Sequence, residues 1–266
     1  MDGDEHRILQ PGEIEYEHGV AIPGVIKPPA EWARTALKHL PDGPLDFQAV
    51  FGRSAPVVVE LGCGNGRYTL MSALARPDHD HLGTDILAAA IRYATRRANQ
   101  RGLHNVRFAV KDAETLLRRY VAPGSVAEVH VYHPQPYHDP REAGRRLITP
   151  RFLADVHRAL RPGGLFVVQT DSAEYWAYMQ RVMPAFFHFV EQHGPWPDAP
   201  EGRSRREIVA RGRGMPVYRG SGTRRDELTA EAIAALVKEL PRPTFHTRPA
   251  GRRRSQVRRE DGPGSQ

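Results

Sequence analysis

The stretch "PVVVELGCGNGRYTL" (56–70) constrains this chain more than any other. "PVVVELG" is a continuous apolar run, the pattern of a strand buried on both faces. It ends in Glu60-Leu61-Gly62-Cys63-Gly64-Asn65-Gly66, where alternating glycines let the backbone turn sharply and approach a ligand. "RYTLMSALARP" then predicts a helix. The alternation repeats downstream. Strands are predicted over "HDHLGTDI" (79–86), "VRFAVKDA" (106–113), "VAEVHVYHP" (126–134) and "LFVVQTDS" (165–172). Helices are predicted over 87–103 (ended by Gly102), 114–121, 150–164 (closed by Pro162, Gly163 and Gly164) and 173–183. Such alternation implies an α/β fold with a mostly parallel sheet covered on both faces. Ligands of such sheets bind beyond the carboxyl ends of the strands.

The flanks differ in character. Residues 1–40 form a polar, acidic, proline-containing N-terminal extension, with a short helix predicted after Pro29 that puts Trp32, Ala36 and Leu37 on one side. A main domain is expected over 41–245, its last two strands drawn from about 180–220 and including "FFHFVEQ". "LTAEAIAALVKEL" (228–240) reads as a further helix. The tail, 246–266, is basic and low in apolar content, a composition expected to be disordered. The 38 basic and 31 acidic residues give a net charge of +7, which suggests a polyanionic partner, nucleic acid first, though charge alone fits a merely basic soluble protein as well. A single cysteine, Cys63, excludes an intrachain disulfide and leaves the cytoplasm as the default. The N-terminus lacks the apolar core of a signal peptide, and no run of about 18 apolar residues is present to span a membrane.

Three successive predicted strands end in acids: Glu60, Asp85 and Asp112. A dinucleotide fingerprint would place its third glycine where Arg67 stands, and no phosphate-loop lysine is present. The E-x-G-x-G-x-G form instead resembles motif I of S-adenosylmethionine-dependent methyltransferases. That donor carries an ammonium and a sulfonium and no pyrophosphate, so acidic groups near the loop suit it. Asp85, about 20 residues beyond the glycine loop, suits ribose hydroxyls. Asp112 is either a helix cap or, as in that class, an acceptor for the adenine amino group.

"HPQPYHDPREAGRR" (133–146) leaves the fourth of these strands, and its prolines make it a rigid loop. Here the sequence is similar to the tRNA (guanine-N7)-methyltransferase family. That family has a Phe-Pro-Asp-Pro-Trp loop, a basic run ending Arg-Arg-Leu, a Pro-x-Phe-Leu helix, a Thr-Asp pair followed by Tyr and Met, and a late Thr-x-x-Glu motif. This chain has His133-Pro134-Gln135-Pro136-Tyr137, Arg145-Arg146-Leu147, Pro150-Arg151-Phe152-Leu153, Thr170-Asp171 with Tyr175 and Met179, and Ser204-Arg205-Arg206-Glu207. The resemblance covers roughly 45–220. It departs at Gln135 (family Asp), Tyr137 (Trp), Asp139 (Lys) and Ser204 (Thr).

The resemblance implies a Rossmann-like class I methyltransferase with a seven-stranded sheet. The implied activity is methylation of guanine N7 in the variable loop of tRNA, with S-adenosylmethionine as cofactor and no obligate protein partner. Guanine N7 bears a lone pair and no proton, so it attacks the methyl group directly without a general base. Asp171 and Glu207 would grip the guanine edge or offset the charge it gains. Glu60, Gly62, Gly64, Gly66, Asp85, Asp112 and Gln135 would hold the cofactor, and Asp139, Arg145, Arg146, Asp171, Ser204 and Glu207 the substrate. Bland readings stand beside these: Asp171 as an N-cap, Tyr137 as packing rather than base stacking, and Arg141, Arg145 and Arg146 as a solvated helix start. His133 and His138 lack a matching Cys/His set, so no metal is expected. A diverged methyltransferase for another RNA, a small molecule or a protein, and a non-catalytic RNA-binding relative, are the competing functions.

Overall fold

The computed structural model describes residues 9–245, so the expected basic tail falls outside the described residues. A hairpin of β1 (Ile14–Glu17) and β2 (Val20–Val25) comes first, then a short α1 (Phe47–Phe51). The predicted alternation follows: β3 (Val57–Leu61), α2 (Arg67–Ala75), β4 (Asp80–Asp85), α3 (Ala88–Gln100) and β5 (Val106–Val110). One turn, α4 (Ala113–Thr115), widens into a π-helical segment over Leu116–Tyr120 before β6 (Val126–Tyr132). Then come α5 (Pro150–Ala159), β7 (Leu160–Thr170), α6 (Ala173–Val182), β8 (Phe187–Glu191), α7 (Arg205–Gly212), β9 (Tyr218–Arg224) and α8 (Ala230–Glu239).

Seven strands form one sheet in the order β5-β4-β3-β6-β7-β9-β8. The first five are parallel, and β9 runs antiparallel to both β7 and β8. The chain moves outward from β3 and returns to β6 beside it, which opens a crevice at the carboxyl ends of the two central strands. One apolar cluster, including Phe152, Phe166, Tyr175 and Met179, packs α5 and α6 on the sheet; a second, with Leu70, Ala94 and Phe108, holds α2 and α3. Each such fully buried aromatic or aliphatic side chain contributes about 1.5–3 kcal/mol. α5 starts where Thr149 accepts a hydrogen bond from the Phe152 amide and Pro150 fills the first turn. It stops at Ala159, short of the expected 164, because Leu160 already pairs with Val126 in the sheet.

The helix expected after Pro29 is only a 3-10 turn, Pro29–Glu31. Beyond it the chain runs extended along β5: the Phe108 amide donates to Thr35 O at 2.8 Å and the Leu37 amide to Phe108 O at 2.8 Å. Covering the free edge of β5 satisfies more backbone than a short helix would. The β1–β2 hairpin inverts the usual pattern. Ile14 and Tyr16 are exposed, while Glu15 and Glu17 point inward and Ile22 joins the second core cluster. Glu15 accepts from Arg97 Nε (2.7 Å) and Arg101 Nη2 (3.0 Å). Among the described residues no helix is long and apolar enough to cross a membrane.

Candidate active site

The loops beyond β3, β6 and β7, together with the start of α7, enclose a cavity of about 1130 Å³. The glycine loop forms one wall. Gly62 and Gly64 have φ of +76° and +51°, and a Cβ on either would project into open space. Gly66 serves packing instead: a Cβ there would meet Ala94 Cβ at 2.8 Å, so α2 and α3 can approach only because it is glycine. Glu60 lines the cavity from beneath, and its Oε2 accepts from the Thr69 amide (3.1 Å) and hydroxyl. Burial pushes its carboxyl up to about 8 against those hydrogen bonds, with the Asp85 charge adding to the rise. Asp85 sits one layer back: Oδ2 accepts from the Gly64 amide (3.0 Å) and Oδ1 from the Leu87 amide (2.8 Å), which ties the end of β4 to the loop. Asp112 is not among the cavity-lining residues; it caps α4 by accepting from the Thr115 amide at 2.8 Å.

The proline loop forms the opposite wall through His133, Gln135, Pro136 and His138. His133 and Tyr137, at its two ends, have φ of +51° and +42°, a left-handed conformation costly for such residues and typical of sites whose surroundings over-determine it. Arg146 supplies that determination. It is buried and donates to the carbonyls of Pro136 (2.6 Å), Tyr137 (2.9 Å), Pro243 (2.6 Å) and Phe245 (2.8 Å), so it organises the loop and is not free for phosphate. Arg145 stacks over the Tyr137 ring at 4.7 Å and pairs with Glu142 at 2.5 Å. Asp139 caps the following 3-10 turn and pairs with Arg141 at 2.7 Å, outside the cavity lining.

Asp171, at the end of β7, lines the cavity. Its Oδ1 accepts from His133 Nδ1 (3.2 Å) and its Oδ2 from Arg206 Nε (2.9 Å) and Nη2 (2.6 Å). Burial opposes ionisation, but the His133 hydrogen bond and the Arg206 guanidinium outweigh it and hold the carboxyl at about 2. The helix cap weighed for Asp171 falls to Ser172, whose hydroxyl accepts from the Tyr175 amide. Gln169 sets the His133 tautomer. Its Oε1 accepts from Trp196 Nε1 (2.7 Å) and Arg219 Nε (3.1 Å), so its Nε2 is the donor to His133 Nε2 (3.0 Å), and His133 presents Nδ1–H to Asp171. Glu207 is fully buried and does not line the cavity. Its carboxylate accepts from Gln169 Nε2 (3.0 Å), the Arg203 amide (2.8 Å) and Arg219 Nη2 (2.8 Å), so it braces the site from behind. Ser204 lines the cavity and caps α7 by accepting from the Glu207 amide at 3.1 Å.

The structure therefore brings Glu60, Gly62, Gly64, Gln135, Asp171 and Ser204 to one cavity and sets the remaining expected residues behind or beside it. Gln169, Trp196, Arg203 and Arg219 escape the sequence reading, since their partners lie on distant segments that only the strand order brings together. Glu17 escapes it too: from the hairpin it accepts a hydrogen bond from Asn65 Nδ2 of the glycine loop and lies 3.5 Å from Arg67 Nη1. Among the described residues no group of three or more His, Cys, Asp or Glu is arranged to hold a metal ion.

A family model described as "Putative methyltransferase" matches residues 54–215. A tRNA (guanine-N(7)-)-methyltransferase of Arthrobacter sp. (strain FB24) is 39% identical over 168 residues, 61% of this chain and 53% of the relative. The protein of that name from Alcanivorax borkumensis is 33% identical over 189 residues, covering 71% of this chain and 79% of the relative. A third, from Bordetella pertussis, is 37% identical over 158 residues, 58% and 62% of the two chains. The chain thus spans between about half and two thirds of the length of several of the curated relatives it matches. The crystal structure of the 16S rRNA methyltransferase KamB superposes with a TM-score of 0.52 at 19% identity, covering 68% of this chain and 94% of that one, which shows a shared fold. With the matched model spanning both walls of the cavity, the chain belongs to the tRNA (guanine-N7)-methyltransferase family.

Proposed function

We propose that this protein transfers a methyl group from S-adenosylmethionine to N7 of a guanine in the variable loop of tRNA, in the cytoplasm. One observation carries the reading: an ionised, rigidly held Asp171 shares a single cavity with a glycine loop underlaid by the Glu60 carboxyl.

The residues present fit the cofactor. Open space above Gly62 and Gly64 admits a ligand against the backbone, and Glu60 supplies an acid beneath a group that is cationic and lacks phosphate. Asp85 stands at the end of β4, where ribose hydroxyls would lie. Ile86 and Leu87, which follow it, are 65% and 62% exposed and offer an apolar face to a flat base. When bound, S-adenosylmethionine supplies an electrophilic methyl group on a sulfonium.

The chain's own residues do the rest. Asp171 would accept hydrogen bonds from the N1 and N2 edge of guanine, turning N7 toward the donor. As N7 bonds to carbon the base gains positive charge, and a carboxylate held in place beforehand stabilises that charge without reorganising. His133, Gln169 and Glu207 keep Asp171 in one orientation from a buried network. Gln135 faces the same cavity and presents a donor and an acceptor without charge. Since N7 carries no proton, no residue is needed as a base.

The test is label transfer from S-adenosylmethionine to unmodified tRNA, with products mapped by cleavage specific for 7-methylguanine. Wild type is expected to label one guanine. Asp171→Asn is expected to lose on the order of 10²–10³ in rate with cofactor affinity retained. Label in another base, or an Asn variant as fast as wild type, contradicts the proposal.

A further inference from the structure

Arg206 occupies the group that the guanine edge would use. Its Nε and Nη2 both donate to Asp171 Oδ2, at 2.9 and 2.6 Å, while His133 fills one position on Oδ1. A carboxylate offers about four acceptor directions, so three are taken and neither on Oδ2 remains free. A guanine presents the same pattern as a guanidinium, two roughly parallel N–H donors in a plane. The two compete for one carboxylate.

Several features show which partner yields. Asp171 is held from the buried side by His133, which Gln169 in turn fixes, and its side chain is only 11% exposed. Arg206 is 50% exposed and lines the same cavity. It also stands in the first turn of α7, just beyond the Ser204 cap, where the helix dipole disfavours a cation. Because its arginine side is half exposed, the guanidinium is within reach of a competing anion from solution.

We propose that Arg206 is a specificity gate: its guanidinium blocks Asp171 until a phosphate of the substrate RNA draws it away, so that base recognition depends on phosphate contact. The inference rests on the reading that Asp171 grips the guanine edge. A bare guanine must break the pair unaided, whereas a nucleotide in a chain brings the competing anion with it. The enzyme thereby rejects guanine and guanosine, which share the recognised edge and bring no phosphate.

The gate is tested by the full chain methylating tRNA in the presence of guanosine or guanosine monophosphate as competitor. In wild type the monophosphate is expected to inhibit more strongly than guanosine. Removing the cation, as Arg206→Met and in parallel Arg206→Gln, is expected to lower the inhibition constant of guanosine by about tenfold, to erase the advantage of the monophosphate, and to reduce the salt slope of tRNA binding by about one. A residue that merely contacts phosphate would leave guanosine inhibition unchanged and weaken only the monophosphate. A purely structural ion pair would weaken both. Either result overturns the gate. Asp171→Asn separates the two levels. If it abolishes guanosine inhibition while the Arg206 variants leave guanosine unaffected, only the gate fails. If it binds guanosine as wild type does, the underlying reading of Asp171 fails.

Discussion

Glu60 holds the proton that a cationic ligand would displace. Its carboxyl, raised to about 8 by burial, is mostly protonated at neutral pH, and a nearby ammonium or sulfonium favours the ionised form. Binding of S-adenosylmethionine below that value should therefore release a proton. Affinity is expected to rise by up to about tenfold per pH unit up to pH 8 and then level off, and Glu60→Gln should flatten the profile. Titration calorimetry in buffers of different ionisation enthalpy measures both quantities; equal affinity at about pH 6 and about pH 8 would remove Glu60 from the cofactor site. The folded value also lies above the ordinary 4.5, so the group's contribution to stability is complete below 4.5 and is lost as pH rises through 8. Glu60→Gln is therefore expected to melt no lower than wild type in alkaline buffer while binding cofactor more weakly. At this scale the sequence was informative where chemistry is local. Glu60, Gly62 and Gly64 follow from a strand meeting a glycine loop, while Asp171 follows from the family resemblance at the Thr170-Asp171 pair. Glu207 was legible as important but not as buried, because its partners Gln169, Arg203 and Arg219 come from three separate segments.

The β1–β2 hairpin is the element that ties the glycine loop to the start of α7. Glu15 anchors it on α3 through Arg97 and Arg101, and Glu17 reaches Asn65 in the glycine loop. At its turn, His18 Nε2 accepts from Arg205 Nε at 3.1 Å, at the start of α7. Breaking one partner of a buried ion pair typically costs about 3–5 kcal/mol, so Glu15→Ala is expected to lower the melting temperature by many degrees. Glu17→Gln keeps the shape and removes the charge beside Arg67 and Arg97; it is expected to weaken cofactor binding about five- to tenfold with a smaller loss of stability. Unchanged cofactor affinity in that variant would show that the hairpin does not shape the loop. The hairpin was hard to read because its acids face inward and its apolar residues face out, the reverse of the alternation that marks a half-buried strand. By contrast β3, β6 and β7 were plain, since continuous apolar runs bounded by glycine, proline or acid leave few other assignments. The residues after Pro29 carried a helical pattern, yet the open edge of β5 offered their backbone better partners.

Charge is the property of the whole molecule that bears on its substrate. Of the net +7, a large share comes from Arg248, Arg252, Arg253, Arg254, Arg258 and Arg259, beyond the described residues. Removing 246–266 while keeping Phe245, whose carbonyl Arg146 uses, is expected to lower tRNA affinity several-fold at low salt and to flatten its salt dependence, with cofactor affinity unchanged. Filter binding over a salt series measures this, and an unaltered slope would make the tail irrelevant to RNA. In the proposed function, one crevice at the centre of the sheet presents a methyl donor to N7 of a tRNA guanine. Nucleoside mass spectrometry of tRNA from cells lacking the gene, complemented with wild type or Asp171→Asn, tests that claim most directly. 7-Methylguanosine is expected to disappear from tRNA and to return only with wild type; its persistence at the normal level, with a different methylated nucleoside missing, would contradict the proposed function.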